Sequence, residues 1–342
     1  MSDPASRRSN AAVLGCAGLS LTSDERSFFR DADPLGFILF TRNCETPDQV
    51  SSLISDLREC VGRDDAPILI DQEGGRVARL RPPHWRDMLA AARFVELAKR
   101  APETAEEAVY LNNRLTAEEL RQLGVSVNCT PVLDLPQPNA DPIIGDRAFG
   151  TTPEQVVRLA EMVCRGMLDG AVAPVIKHIP GHGRALVDSH EALPVVEAER
   201  KELENHDFAP FEALNTMPWA MTAHVIYSAF DPENPATLSQ SVVHDVIRTK
   251  IGFDGLLITD DLSMKALGGD YRNRAKRALA AGCDVVLHCN GKPNEMEAVM
   301  EGCTSLTEEA ESRFKRAEDL RKETYVPIDK EAAEKRLAEL LQ

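Results

Sequence analysis

Eight short apolar runs recur along the chain, most of them separated by segments of helical periodicity. They are Ala11–Cys16, Gly36–Phe40, Pro67–Ile70, Val125–Cys129, Val172–Ile176, Trp219–Thr222, Gly255–Ile258 and Asp284–Leu287. Most are continuous rather than alternating. An alternating run suits a strand with one wet face. A continuous run suits a strand buried on both faces, as in a parallel sheet covered by helices. Between them, Thr46–Val61 places Val50, Leu53, Ile54, Leu57 and Val61 at helical spacing, and Thr104–Leu123, Pro153–Leu168 and Ser239–Ile251 read as helices too. Glu199–Leu214 joins them, with an interruption expected at Pro210.

Strand–helix alternation repeated eight times is the sequence form of an α/β fold of the (β/α)8 TIM-barrel type. A doubly wound sheet is the alternative, but no Gly-x-Gly-x-x-Gly follows the first run. With 342 residues, 43% of them apolar, one barrel spanning 1–342 is expected as a single domain. The tail from Thr304, broken at Pro327, is charged and sparse in apolar residues. It is expected to pack lightly on the outside of the barrel.

The charge balance narrows the partners. A net charge of −16 argues against nucleic acid, which demands a basic face. No apolar stretch reaches the length of about 18 residues that a membrane helix requires, so no membrane partner is expected. Met1–Asn10 carries Arg7 and Arg8, is otherwise polar, and does not read as a signal peptide. The eight cysteines are scattered, with no Cys-x-x-Cys pair. That pattern fits a reducing compartment, the cytoplasm, and provides no thiolate zinc site. A monomer acting on a small substrate is expected.

In a barrel, the groups that do chemistry sit just past the strand ends, and polar residues concentrate there. The third run leads into Asp71-Gln72-Glu73-Gly74-Gly75-Arg76, with Arg79 beyond. The long loop Pro131–Thr152 carries Asp134 and Asp146-Arg147. The fifth run leads into Lys177-His178-Ile179-Pro180-Gly181-His182-Gly183-Arg184 and closes at Asp188-Ser189-His190. Later runs lead to His224, to Asp260-Asp261, and to His288 and Asn290.

Asp71 reads either as a helix cap or as a ligand-binding carboxylate, beside glycines that let backbone approach a ligand. Of Arg76 and Arg79, one is expected to pair with Glu73 and the other to face the site. His224 and His288 read as hydrogen-bonded structural groups. Pro180-Gly181 excludes a helix-borne metal pair at His178 and His182, while a loop metal site from His178, His182 and His190 stays open. Lys177 could form a Schiff base. A non-catalytic sugar-binding barrel also stays open. Asp188-x-His190 places a carboxylate where it can fix an imidazole for proton transfer. Asp260, behind apolar strand residues, reads as a nucleophile. A nucleophilic Asp facing a separate proton donor is the layout of a retaining glycosidase, with a histidine in place of the usual second acid.

Taken in order, Asp71-Gln72-Glu73-Gly74-Gly75-Arg76-Val77, Ile144-Gly145-Asp146-Arg147-Ala148-Phe149, Lys177–Gly183, Asp188-Ser189-His190 and Thr259-Asp260-Asp261-Leu262-Ser263-Met264 resemble the β-N-acetylglucosaminidases of glycoside hydrolase family 3. The single-domain bacterial type that recycles cell-wall fragments is the nearest resemblance, from roughly Ala11 to Gly291. The resemblance implies a two-step retaining mechanism without metal or organic cofactor. Asp260 would be the nucleophile, and His190 the general acid/base, oriented by Asp188. Asp71, Arg79, Arg147, Lys177 and His178 would bind the hydroxyls and acetamido group of the sugar. The implied substrate is N-acetylglucosamine-1,6-anhydro-N-acetylmuramic acid with or without peptide. A β-glucosidase or a glycoside phosphorylase is the nearest rival. Glycines at the root of the Gly181–His190 loop suggest that it swings. Arg184-Ala185-Leu186-Val187 departs from the small and polar residues expected in that loop, which bears on leaving-group preference.

Overall fold

A computed structural model describes residues 8–342; the polar stretch up to Arg7 lies outside the described residues. Eight parallel strands close into a barrel. They are β1 (Asn10–Gly15), β2 (Pro34–Leu39), β3 (Ile68–Ile70), β4 (Val127–Asn128), β5 (Ala173–Ile179), β6 (Trp219–Thr222), β7 (Leu256–Asp261) and β8 (Val285–His288). β1 pairs with both β2 and β8, which closes the ring and sets aside the open doubly wound sheet. Each strand falls within its expected run or overlaps it. β5 runs on past the expected end, so Lys177 and His178 belong to the strand itself.

The continuous runs have their reason in the two faces. Ala12, Leu14, Phe37, Leu39, Ile68 and Ile70 pack outward into the helical layer. Val13, Ile38, Leu69, Val127, Val175 and Ile258 fill the barrel interior. Neither face meets water, so alternate residues gain no advantage from being polar. The helical layer opens with α1 (Ser23–Ala32), α2 (Pro47–Val61), α3 (Ala91–Arg100), α4 (Pro102–Leu123) and α5 (Pro153–Asp169). α2 shows the local logic. The Thr46 hydroxyl accepts from the Gln49 N–H at 3.3 Å. Pro47 takes the first turn, and Gly62 ends the helix at φ 63°.

The segment expected to break at Pro210 breaks earlier. A turn at Arg200–Glu202 passes into a π-helical stretch, Leu203–Asp207, and Pro210 sits in the first turn of a new helix, Ala209–Ala213. There its missing N–H is no loss.

The tail overturns the expectation of light outer packing. Its helix Glu308–Glu323 lies across the N-terminal mouth of the barrel. Ala310, Phe314 and Ala317 join the same apolar cluster as the barrel interior, and Phe314 meets the ring of Trp219 edge-on at 6.3 Å. Arg313 ties the helix to the rim through Asp284 at 2.9 Å and Asp254 at 3.1 Å. A second tail helix, Lys330–Leu340, buries Ala333, Leu337 and Leu340. No helix of the described residues is long and apolar enough to cross a membrane.

Candidate active site

The C-terminal mouth of the barrel holds a chain of alternating charges. Lys177 reaches from β5 to Asp71 at 3.0 Å and to Glu73 at 2.6 Å. Arg79 pairs with the other oxygen of Asp71 at 2.9 Å, and Arg147 grips Glu73 with two bonds of 2.8 Å. The order is Arg79–Asp71–Lys177–Glu73–Arg147, three cations around two carboxylates. Burial opposes ionisation of Glu73, but Arg147 and Lys177 outweigh it and hold the acid at about 2. Asp71 is likewise held well below the carboxylate range, against burial, by Lys177 and Arg79. The same pairs act in reverse on Lys177: burial pushes its ammonium down, while Glu73 and Asp71 more than restore it. A Schiff base needs a neutral amine, so this clamp counts against the lyase reading.

Neither Arg76 nor Arg79 pairs with Glu73, contrary to expectation. Glu73 points inward to Lys177 and Arg147. Arg76 lies across a tight turn closed by Gly74 and Val77 and pairs with Asp146 at 2.8 Å. The glycines of that turn serve protein packing. A Cβ on Gly74, at φ 108°, would meet the Leu89 carbonyl oxygen at 2.2 Å, and one on Gly75 would meet the Ala90 Cβ at 2.6 Å.

A second line of groups runs from the loop after β4 to the end of β7. The chain past β4 stays alongside β5, the Leu133 N–H donating to the Lys177 carbonyl at 2.7 Å. This delivers Asp134, fully buried, to His178. Asp134 Oδ2 lies 2.7 Å from His178 Nδ1, and its Oδ1 accepts from the backbone N–H of His178 at 3.1 Å and of His182 at 2.6 Å. Burial opposes its charge; His178 and His182 prevail and hold it at about 2. The far nitrogen of His178 lies 3.9 Å from Asp260 Oδ2.

The two aspartates at the tip of β7 differ in freedom. Asp261 has both oxygens engaged, by the Ser263 N–H and hydroxyl at 2.9 and 2.5 Å and by the Cys289 N–H at 3.2 Å. Asp260 accepts only from the N–H of its neighbour Asp261, at 2.8 Å, leaving Oδ2 toward the cavity and His178. Burial works against its charge, yet His178 and His224 hold Asp260 below the ordinary range. A carboxylate that is ionised and unengaged can attack or stabilise a developing cation.

His190 stands on the loop after β5, with its side chain 62% exposed. Asp188 Oδ1 lies 2.8 Å from its Nδ1 and accepts the His190 backbone N–H at 2.8 Å. With Nδ1–H given to Asp188, Nε2 is free to exchange a proton. The loop is rooted by His182, whose Nε2 lies 3.1 Å from the buried Ser189 hydroxyl. Its Gly183 is a point of close approach: a Cβ there would meet the Leu135 carbonyl oxygen at 2.0 Å.

The three histidines, His178 on β5 and His182 and His190 on the loop after it, turn to three different partners, Asp134, Ser189 and Asp188. No group of three His, Cys, Asp or Glu among the described residues could hold a metal ion. His224 is structural as expected, bridging Thr237 at 2.7 Å and the Asp261 carbonyl at 3.1 Å. His288 departs from expectation: it is buried, and neither ring nitrogen has a hydrogen-bond partner. Its nearest acids are Glu295 at 3.8 Å and Asp261 at 3.9 Å.

One cavity of about 270 Å³ gathers Asp71, Glu73, Arg79, Arg147, Lys177, His178, His190 and Asp260 in its walls. Asp188 touches it through His190. Strand-end reasoning missed Phe40, Met221 and Cys289, which line it too. Phe40 follows the tip of β2 and carries Arg79 over its ring at 4.8 Å. It could have been found by reading every strand end for rings as well as charges.

Residues 14–319 match the glycosyl hydrolase family 3 N terminal domain. A β-hexosaminidase of Methylococcus capsulatus is 40% identical over 299 residues, covering 86% of this chain and 87% of the relative. One from Alkalilimnicola ehrlichii is 40% identical over 292 residues, covering 84% and 82%. The crystal structure of native NagZ from Neisseria gonorrhoeae superposes with a TM-score of 0.87 at 31% identity, covering 98% of this chain and 99% of that one. The same protein in complex with N-trifluoroacetyl-D-glucosamine gives 0.87 at 30% identity, covering 98% and 99%. A (β/α)8 barrel with a charged cavity at its mouth, the chain is thus a glycosidase and belongs to glycosyl hydrolase family 3.

Proposed function

We propose that the chain is a retaining exo-β-N-acetylglucosaminidase acting on small carbohydrates, with peptidoglycan-derived N-acetylglucosamine-1,6-anhydro-N-acetylmuramic acid, with or without peptide, as substrate. The observation that carries this reading is one cavity holding an unengaged carboxylate, Asp260, and a separate imidazole, His190, backed by its own carboxylate. The β-hexosaminidase relatives and the sugar-analogue complex of the Neisseria protein support the choice of sugar. The eight cysteines, all free, support a cytoplasmic setting.

In this reading Asp260 attacks the anomeric carbon while His190 Nε2 protonates the leaving oxygen. The resulting glycosyl–aspartate is opened by water, from which His190 takes the proton, and the β-configuration is restored. Asp188 stabilises the imidazolium that gives up its proton in the first half-reaction and is restored in the second. Asp71, Lys177, Arg79 and Arg147 present fixed donors and acceptors to the sugar hydroxyls and acetamido group. His178, held by Asp134, keeps Asp260 ionised and aimed. Because these groups bind one another before any sugar arrives, they need little reorganisation at the moment of reaction.

Release of nitrophenol from the aryl β-glycosides of N-acetylglucosamine and of glucose, with a chelator present and with or without phosphate, tests the reading. Turnover of the N-acetyl compound alone, indifferent to chelator and phosphate, supports it. Turnover of the glucoside overturns the substrate, and release of a sugar phosphate overturns hydrolysis. His190→Ala should cost about 10²- to 10⁴-fold on poor leaving groups and much less on activated ones; equal losses refute the donor role. Asp260→Ala should abolish turnover, and a variant with substantial activity removes Asp260 as nucleophile.

A further inference from the structure

The loop segment from Ala185 to Ser189 is an arch, pinned at both feet and free at its top. Arg184 anchors the first foot, donating to Asp207 at 2.8 Å and pairing with Glu202 at 2.7 Å. Next to it, the Ala185 carbonyl accepts from the Asp141 N–H at 2.8 Å. The second foot is Ser189, whose hydroxyl meets His182 and whose carbonyl accepts from the Ala266 N–H at 3.1 Å. Between the feet stand Leu186 and Val187, 64% and 39% exposed. Leu186 is the most exposed large apolar side chain among the described residues.

Position gives this pair its meaning. Ile143 lines the cavity and lies two residues past Asp141, so the Asp141–Ala185 bond joins the arch to the cavity rim. At the other end, His190 is three residues past Val187, at most about 10 Å of chain. A donor that protonates the glycosidic oxygen must stand on the leaving-group side of the bond. The cavity walls include the charged side chains of Asp71, Glu73 and Lys177, with Phe40, Met221 and Cys289 among them. With His190 as donor, the leaving group therefore stands on the side of the cavity where the loop carrying the arch reaches it.

We infer that Leu186 and Val187 form an apolar contact for the leaving group and select substrates whose aglycone presents apolar surface. The inference rests on the reading of His190 as proton donor. An aglycone lying against the pair removes from water surface that the free protein leaves wetted, which is favourable in proportion to the area covered.

The test uses two β-N-acetylglucosaminides of closely matched leaving-group acidity, one with a 4-butylphenyl aglycone and one with a 4-(3-hydroxypropyl)phenyl aglycone. The ratio of their kcat/KM values is the readout, for the full chain and for the Leu186→Ser/Val187→Ser variant. The unsubstituted chain should favour the alkyl compound by on the order of 10-fold, the worth of about two buried methylene groups. The variant should bring the ratio to about 1. Both side chains are exposed, so the core is untouched; a Leu186→Ala/Val187→Ala variant should retain an intermediate ratio. A ratio near 1 in the unsubstituted chain, or one that the substitutions leave in place, overturns the inference while the catalytic reading stands. No turnover of either compound, or of the nitrophenyl N-acetylglucosaminide, by the unsubstituted chain overturns both.

Discussion

Replacing Lys177 with methionine removes the middle cation of the Arg79–Asp71–Lys177–Glu73–Arg147 chain and little volume. The side chain is 2% exposed, and its ammonium lies within 3.0 Å of both carboxylates. Glu73 is held at about 2 against an ordinary value of 4.5. That gap is worth about 3 kcal/mol of stability at neutral pH, shared between Arg147 and Lys177. Asp71 adds a contribution of the same sign. Against this, each acid keeps one arginine, so the loss belongs at the lower end of the 3–5 kcal/mol typical of breaking a buried pair, about 3 kcal/mol. Thermal melts at pH 7 should show a fall of about 4 °C for a chain of this size.

The pH profile gives the sharper test. Glu73 and Asp134 have depressed values, so their stabilisation is complete above about 4.5 and is lost as pH falls toward about 2. In the variant, Glu73 has only Arg147 to hold its charge, so the acid loss still starts near 4.5 but must be smaller and finish at higher pH. A variant that melts within about 1 °C of the parent at pH 7, with the same acid limb, would refute the view that these charges hold one another.

His182 is buried, and burial lowers it to about 4 from 6.5. Between those values the unfolded chain takes a proton that the native imidazole refuses, so stability should fall as pH drops from 6.5 to 4; a His182→Asn variant should flatten that part of the melting profile, and an unchanged slope would assign it elsewhere. Phe314→Ala, at the sealed end of the barrel, should cost about 2 kcal/mol and roughly 3 °C in melting temperature. The same variant should leave KM for an aryl N-acetylglucosaminide where it was; a raised KM would mean that the two ends of the barrel are coupled.

The sequence made the barrel legible because its strands are buried twice over. Val13 faces inward and Leu14 outward, and both must be apolar. Strand ends then pointed to Asp71, Lys177, His178 and Asp260, since a parallel barrel exposes only that rim. The pairings were not legible. Glu73 finds Lys177 and Arg147 across more than a hundred and more than seventy residues of chain, and no local spacing announces such a meeting. The tail was misjudged for a related reason. The mouth of an eight-stranded barrel is narrow, so a stripe of Ala310, Phe314 and Ala317 is enough to stop it, and a stripe that thin looks like a solvated helix.

That stopper has a kinetic meaning. A barrel filled by Val13, Ile38, Leu69, Val127, Val175 and Ile258 and shut below at Trp219 and Phe314 leaves the charged cavity as a socket closed at its base. Whatever enters first must leave last. In the proposed reaction the aglycone, nearest the doorway, departs while the sugar stays behind it on Asp260. The freed sugar then vacates the same seat that the next substrate needs. In that reaction traffic through the socket would be strictly ordered, and turnover would slow as free sugar accumulates outside.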